Sequence, residues 1–229
     1  MTTDEIAFYL RHRRQITEWA ALEGRVHDLL RDTVAEGSVD KAAQLLAGES
    51  GDDEVDFYVR NRSLITQWDA LQVPAGHALH QALLSAARDA GCPATEHRRG
   101  WTSARARSPE LDALFDDWGA WVEFAWTKQD LLSTRRGYRF PRVALLLPPN
   151  RWQGDVRAGL IKGTRAVARE LGMNKKGGDW WTHWRMLDEI SDSQDVESYA
   201  AECVTQFRNT ANSLCPVLRE VISAPEGSG

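Results

Sequence analysis

Three cysteines, Cys92, Cys203 and Cys215, stand among 229 residues with no CxxC pair. They are too few and odd in number for a disulfide framework, and they fit a reducing, cytoplasmic setting. No apolar run approaches the roughly 20 residues that cross a bilayer; the compact VALLL at 143–147 is among the longest. No membrane association is expected. The opening MTTDEIAFYLRHRRQ carries acid before its arginines, where an export signal carries base followed by roughly 7–15 apolar residues.

Motifs of known chemistry are equally scarce. The chain has no GxGxxG, GxSxG or HExxH. Gly154 and Gly159 have the spacing of a phosphate-binding loop, but Leu160 stands where that loop needs lysine. His77 and His80 could share a helix face, yet no third ligand follows at a defined spacing, so neither metal nor cofactor is expected. What remains is the composition of an ordinary globular protein, 42% apolar and 27% charged. At this length folding can hide roughly 70% of the surface of the unfolded chain.

The net charge of −5 conceals a pattern. Residues 1–96 hold 9 Lys/Arg against 16 Asp/Glu, residues 97–176 hold 16 against 8, and residues 177–229 hold 3 against 9. A basic centre between acidic flanks implies either an anionic partner or neutralisation within the fold.

A shift of 49 positions lays DEIAFYLRHRRQITEWAAL (4–22) on DEVDFYVRNRSLITQWDAL (53–71), with eleven of nineteen positions identical. One supersecondary unit is used twice. Tyr9, Ile16, Trp19, Ala20, Val26, Leu29 and Leu30 recur at helical spacing, predicting a helix to about Val34 capped by Thr3 or Asp4. A short helix is expected over 39–47. The second copy, capped by Asp52 or Asp53, is expected to break at 73–76 before another helix carrying Ala78, Leu79, Ala82, Leu83 and Ala86. The repeated Arg11/Arg60, Arg13/Arg62 and Trp19/Trp68 read as packing, with Trp buried and Arg paired to helix-end carboxylates such as Asp4 and Asp53.

After Pro93 the period changes. WVEFAW (121–126) alternates as a strand, RVALLL (142–147) is a second strand that pairs with it as a long-looped hairpin, and 96–105 offers a third. Ser108 and Pro109 open a helix carrying Leu111, Leu114, Phe115 and Trp118. From 155 to 171, Val156, Leu160, Gly163, Val167 and Leu171 form one helical stripe, with Gly159 and Gly163 as a packing notch. Lys162, Arg165 and Arg169 share another face without an interleaved acid. NKKGGDWWTHWR (174–185) reads as a loop, and a last helix from Asp195 should end or kink at Pro216, before a mobile tail at 224–229.

The expected fold is α+β: a duplicated helical bundle over 1–92, with repeats near 4–34 and 53–90, then a small mixed sheet with helices over 93–223. Cations beside aromatics suit nucleic acid, because cations pair with phosphates and indole faces stack on bases. The candidates are Arg98, Arg99, Arg105, Arg107, Arg135, Arg136, Lys162, Arg165, Arg169, Lys175 and Lys176, with Trp101, Trp180 and Trp181 as stacking platforms. On this reading the chain is a non-catalytic binding protein whose acidic helical region meets a protein partner or a second copy of itself. One alternative is a module that binds only proteins. Another is a metal-dependent nuclease using Asp116, Asp117 and Glu123 with Lys128, although Glu123 and Lys128 lie on opposite faces of a regular strand.

Overall fold

The computed structural model describes residues 2–92, 94–96, 101–106, 120–127, 131, 141–149, 154–173, 180–191 and 193–223. Helix α1 spans Thr3–Ala35. Its cap is Thr2, one residue earlier than the sequence suggests, because a reciprocal box forms there: Glu5 N–H donates to Thr2 Oγ1 at 3.2 Å and Thr2 N–H donates to Glu5 Oε2 at 2.6 Å. Helix α2 (Val39–Ala47) follows, then α3 (Asp53–Asp69) and α4 (Gln72–Asp89). The break between α3 and α4 falls at 70–71 rather than 73–76, since Pro74 sits in the first turn of α4, where a missing N–H costs nothing.

Both copies of the repeat are helical, and α1 packs on α3. Phe8 meets Trp68 with ring centroids 5.2 Å apart, Phe57 meets Trp19 at the same 5.2 Å, and the two indoles face each other at 6.2 Å. These are equivalent pairs exchanged between the copies, so the helices run antiparallel about a local twofold. The arginines do not pair with Asp4 and Asp53. Arg11 donates to Gln194 O (2.9 Å) and Arg60 to Gly48 O (2.5 Å), each copy closing on a carbonyl at the edge of another element. Gly48 ends α2 at φ +71°, and a Cβ there would lie 2.9 Å from Arg60 Cγ, so this position requires glycine. Arg25 joins the copies by pairing with Asp52 and Glu54.

Asp52 accepts N–H bonds from Glu54 and Val55, both 3.2 Å, at the start of α3. Asp52→Ala is expected to cost about 1 kcal/mol in a urea titration. Asp56 is held below the ordinary carboxylate range, first by the Ser50 hydroxyl at 2.6 Å and then by the N–H groups of Ser50 and Gly51. Because the folded pKa is depressed, this contribution is complete above the unfolded value near about pH 4 and is lost as pH falls below it. The stability gap between the native chain and Asp56→Asn is therefore expected to be widest above about pH 4 and to narrow on further acidification; a gap independent of pH would contradict this.

The sheet has the order β1-β2-β3-β4-β5: Thr95–Glu96, Trp101–Ala106, Trp121–Thr127, Arg142–Leu146 and Trp181–Met186. Every pairing is antiparallel, so the sheet is not mixed. The reason lies in α5 (Gly154–Glu170), which leaves β4 and returns the chain to the same end of the sheet, where Leu147 N–H bonds Trp180 O. The expected hairpin is present as β3–β4, with Phe124 opposite Val143. The strand expected over 96–105 is divided between β1 and β2, and the end of the expected loop, 181–185, belongs to the edge strand β5. The helix expected after Ser108 lies outside the described residues.

Helix α6 runs Val196–Ser223 without ending at Pro216. Burial of Leu214, Cys215 and Leu218 on both sides of the proline holds the helix together despite the lost donor. It packs on α4, α5, β2 and β3, so it both closes the helices and crosses the sheet. One core joins Tyr9, Leu10 and Ile16 of α1, Leu79 and Leu83 of α4, Val122, Phe124, Trp126, Val143 and Leu145 of the sheet, and Phe207 of α6. Phe124 stacks on Phe207 at 5.5 Å. This apolar cluster crosses the division expected near residue 92. A smaller one, Val26, Leu45, Val55, Tyr58 and Ile65, fills the space between α1, α2 and α3. Among the described residues no helix is long and apolar enough to cross a membrane.

Candidate nucleic-acid interface

Helix α5 is anchored by Leu160, Thr164 and Ala168, spaced four apart and buried, with Ile161, Val167 and Leu171 packed beside them. This stripe is rotated from the expected one: Val156 is 48% exposed and Gly163 is exposed. Thr164 enters the core because its hydroxyl donates to Leu160 O at 2.8 Å, so no polar group is left unmet. Hydrophobicity alone could not reveal that. Gly159 is no packing notch, since a Cβ there would meet nothing within 4 Å.

The rotation turns Ala158, Gly159, Lys162, Gly163, Arg165, Ala166 and Arg169 outward together. The three cations lie within about 60° of arc and span about 10 Å of the helix axis. Between them stand only glycine and alanine, which leave an anion free to approach the helix closely. The acids of the helix, Asp155 and Glu170, stand at its two ends. No ion pair joins Lys162, Arg165 or Arg169 to another described residue, whereas cations of the N-terminal helices are paired, as in Arg14–Glu18, Arg31–Asp28 and Arg62–Glu23.

Two bonds fix α5 along the sheet edge. Arg157 Nε donates to Leu147 O at 3.3 Å, and His183 Nε2 lies 3.4 Å from Ile161 O. Trp180, just before β5, is 48% exposed. Trp181 is half-buried and differently engaged: its indole N–H donates to Glu123 Oε2 at 3.3 Å and its ring lies 4.7 Å from the Arg142 guanidinium. With Trp184 it packs on Trp121, Ala144 and Leu146, on the sheet face opposite the main core. The ring of Trp181 thus has a guanidinium on it rather than open water.

Trp101 and Arg105 lie in β2, in register with Thr127 and Glu123. Arg98, Arg99, Arg107, Arg135, Arg136, Lys175 and Lys176 lie outside the described residues, as do Asp116, Asp117 and Lys128. Glu123 is buried on the Trp181 side of the sheet. His77 is exposed whereas His80 is fully buried and accepts the Trp126 indole N–H at 3.0 Å, so the two do not act as a pair. Among the described residues no three His, Cys, Asp or Glu side chains could hold a metal together. Burial pushes the Cys203 thiol up to about 12, which leaves it protonated near neutral pH and without nucleophilic character.

Comparison of the chain with protein-family models, with curated proteins and with solved structures gives no match.

Proposed function

We propose that this α+β chain is a non-catalytic nucleic-acid-binding protein whose phosphate-contacting element is the outer face of α5. The observation that supports this reading is the convergence of Lys162, Arg165 and Arg169 on one exposed face with no acid between them. A merely solvated helix face interleaves both signs of charge. Three aligned cations on a small-residue surface give a polyanion a place to release its counterions.

Fluorescence anisotropy of labelled DNA and RNA against the native chain and the Lys162→Gln/Arg165→Gln/Arg169→Gln variant tests the reading. All three side chains are exposed, so the variant should keep its melting temperature while affinity at low salt falls by more than about tenfold. Unchanged affinity would refute it.

A second reading has its own observation. Val34, Val39 and Leu46 stand exposed around the α1–α2 turn, an apolar surface of the kind that meets a protein partner or a second copy of the chain. Sedimentation of the native chain beside a Val39→Glu/Leu46→Glu variant decides whether this surface drives self-association.

A further inference from the structure

The place of Trp180 relative to α5 separates the forms of nucleic acid. Trp180 O accepts Leu147 N–H, and Leu147 O accepts Arg157 Nε, so Trp180 lies beside the first half of α5. Leu147 belongs to the core cluster on the α5 side of the sheet, and Trp181 packs on the opposite face. β5 is bulged between Trp181 and His183, and Trp180, bonded to Leu147 next to the Leu146–Trp181 pair, lies opposite Leu147 and so on the α5 side. There, an indole that is 48% exposed lies beside the first half of α5, whose outer face carries Lys162, Arg165 and Arg169 further along the helix.

Charge along α5 is uneven. Asp155, in the first turn, disfavours a phosphate near the Trp180 end, whereas a base is neutral and carries a π-face. Phosphates are favoured further along, from Lys162 to Arg169. A duplex offers no match for this division, because its base faces are covered by their neighbours in the stack. Resting on the nucleic-acid reading above, we infer that the ligand is a single strand, with one base stacked on Trp180 and its backbone running along α5 toward Arg169. Every base has a π-face, so the site takes DNA or RNA with little regard to sequence.

The test is anisotropy with a short oligothymidylate, an oligouridylate, a duplex and an abasic strand of equal length, against the native chain, Trp180→Ala and Trp180→Phe. The native chain should prefer the single strands with bases to the duplex. Trp180→Ala should bind both of them about tenfold more weakly while leaving the abasic strand unchanged, and Trp180→Phe should keep most of the affinity. If Trp180→Ala binds every probe as the native chain does, or loses affinity equally on the abasic strand, the single-strand assignment is overturned while the phosphate reading stands. If the native chain binds none of the probes at low salt, both fall.

Discussion

Trp126→Ala is expected to destabilise the protein by about 3–5 kcal/mol, the range for emptying a large aromatic site in a packed core. For a chain of this length that lowers the melting temperature by roughly 6–20 °C. Trp126 is fully buried near the end of β3 and touches Phe124, with ring centroids 4.9 Å apart. Its indole also donates to Nδ1 of fully buried His80 on α4, which makes it a polar link between the helical region and the sheet. Volume and hydrogen bond can be separated. Trp126→Phe keeps much of the ring but withdraws the donor from His80 Nδ1, with an expected cost of about 1–3 kcal/mol. Adding His80→Leu removes the abandoned acceptor and should recover part of that loss. Thermal melts of the three variants check the order; equal losses for Trp126→Ala and Trp126→Phe would mean that packing around the ring counts for little.

Arg13→Ala is expected to cost about 2–4 kcal/mol, against about 0.5 kcal/mol or less for Arg62→Ala. The two arginines are equivalent in the repeat, yet they face different surroundings. Arg13 is 3% exposed and donates to the carbonyl of fully buried Leu131 at 2.5 Å. Truncation would strip that carbonyl of its donor and remove the packed stem of the arginine. Arg62 lies on the surface, where it makes a 3.3 Å ion pair with Glu23 that solvent screens. Arg13→Met, which fills the space without a buried charge, should cost less than Arg13→Ala. Urea titrations of the three variants test this contrast. Similar losses for Arg13→Ala and Arg62→Ala would show that the copies carry load alike.

The helices were legible where spacing and capping agree. The extents of α1 and α2, the start of α3 at its Asp52 cap and the β3–β4 hairpin follow from apolar period and cap chemistry in residues close in sequence, whereas the end of α3 does not. The antiparallel exchange of Phe8–Trp68 with Phe57–Trp19 was not legible, because a repeat says that two units are alike and not how they meet. Nor was the orientation of α5. There a threonine that satisfies its own hydroxyl displaced Val156 and Gly163 from the core, and side-chain polarity read one residue at a time points the other way. The run through Pro216 depends on tertiary burial on both sides of it, which outweighs local preference. Within the candidate interface, the shared face of Lys162, Arg165 and Arg169 was readable from their spacing. The differing surroundings of Trp180 and Trp181 were not, since adjacent strand residues face opposite ways and only the register shows which side holds Glu123 and Arg142.

The most direct measurement is the salt dependence of nucleic-acid binding by the native chain and by Lys162→Gln/Arg165→Gln/Arg169→Gln. If the outer face of α5 meets phosphate, the native chain binds at low salt and log affinity falls linearly with log salt concentration. The variant's slope should then be shallower by about 2 if the three cations meet phosphates of a single strand, and by somewhat more on a duplex. Equal slopes for the two proteins, or no binding by the native chain at low salt, would contradict the account.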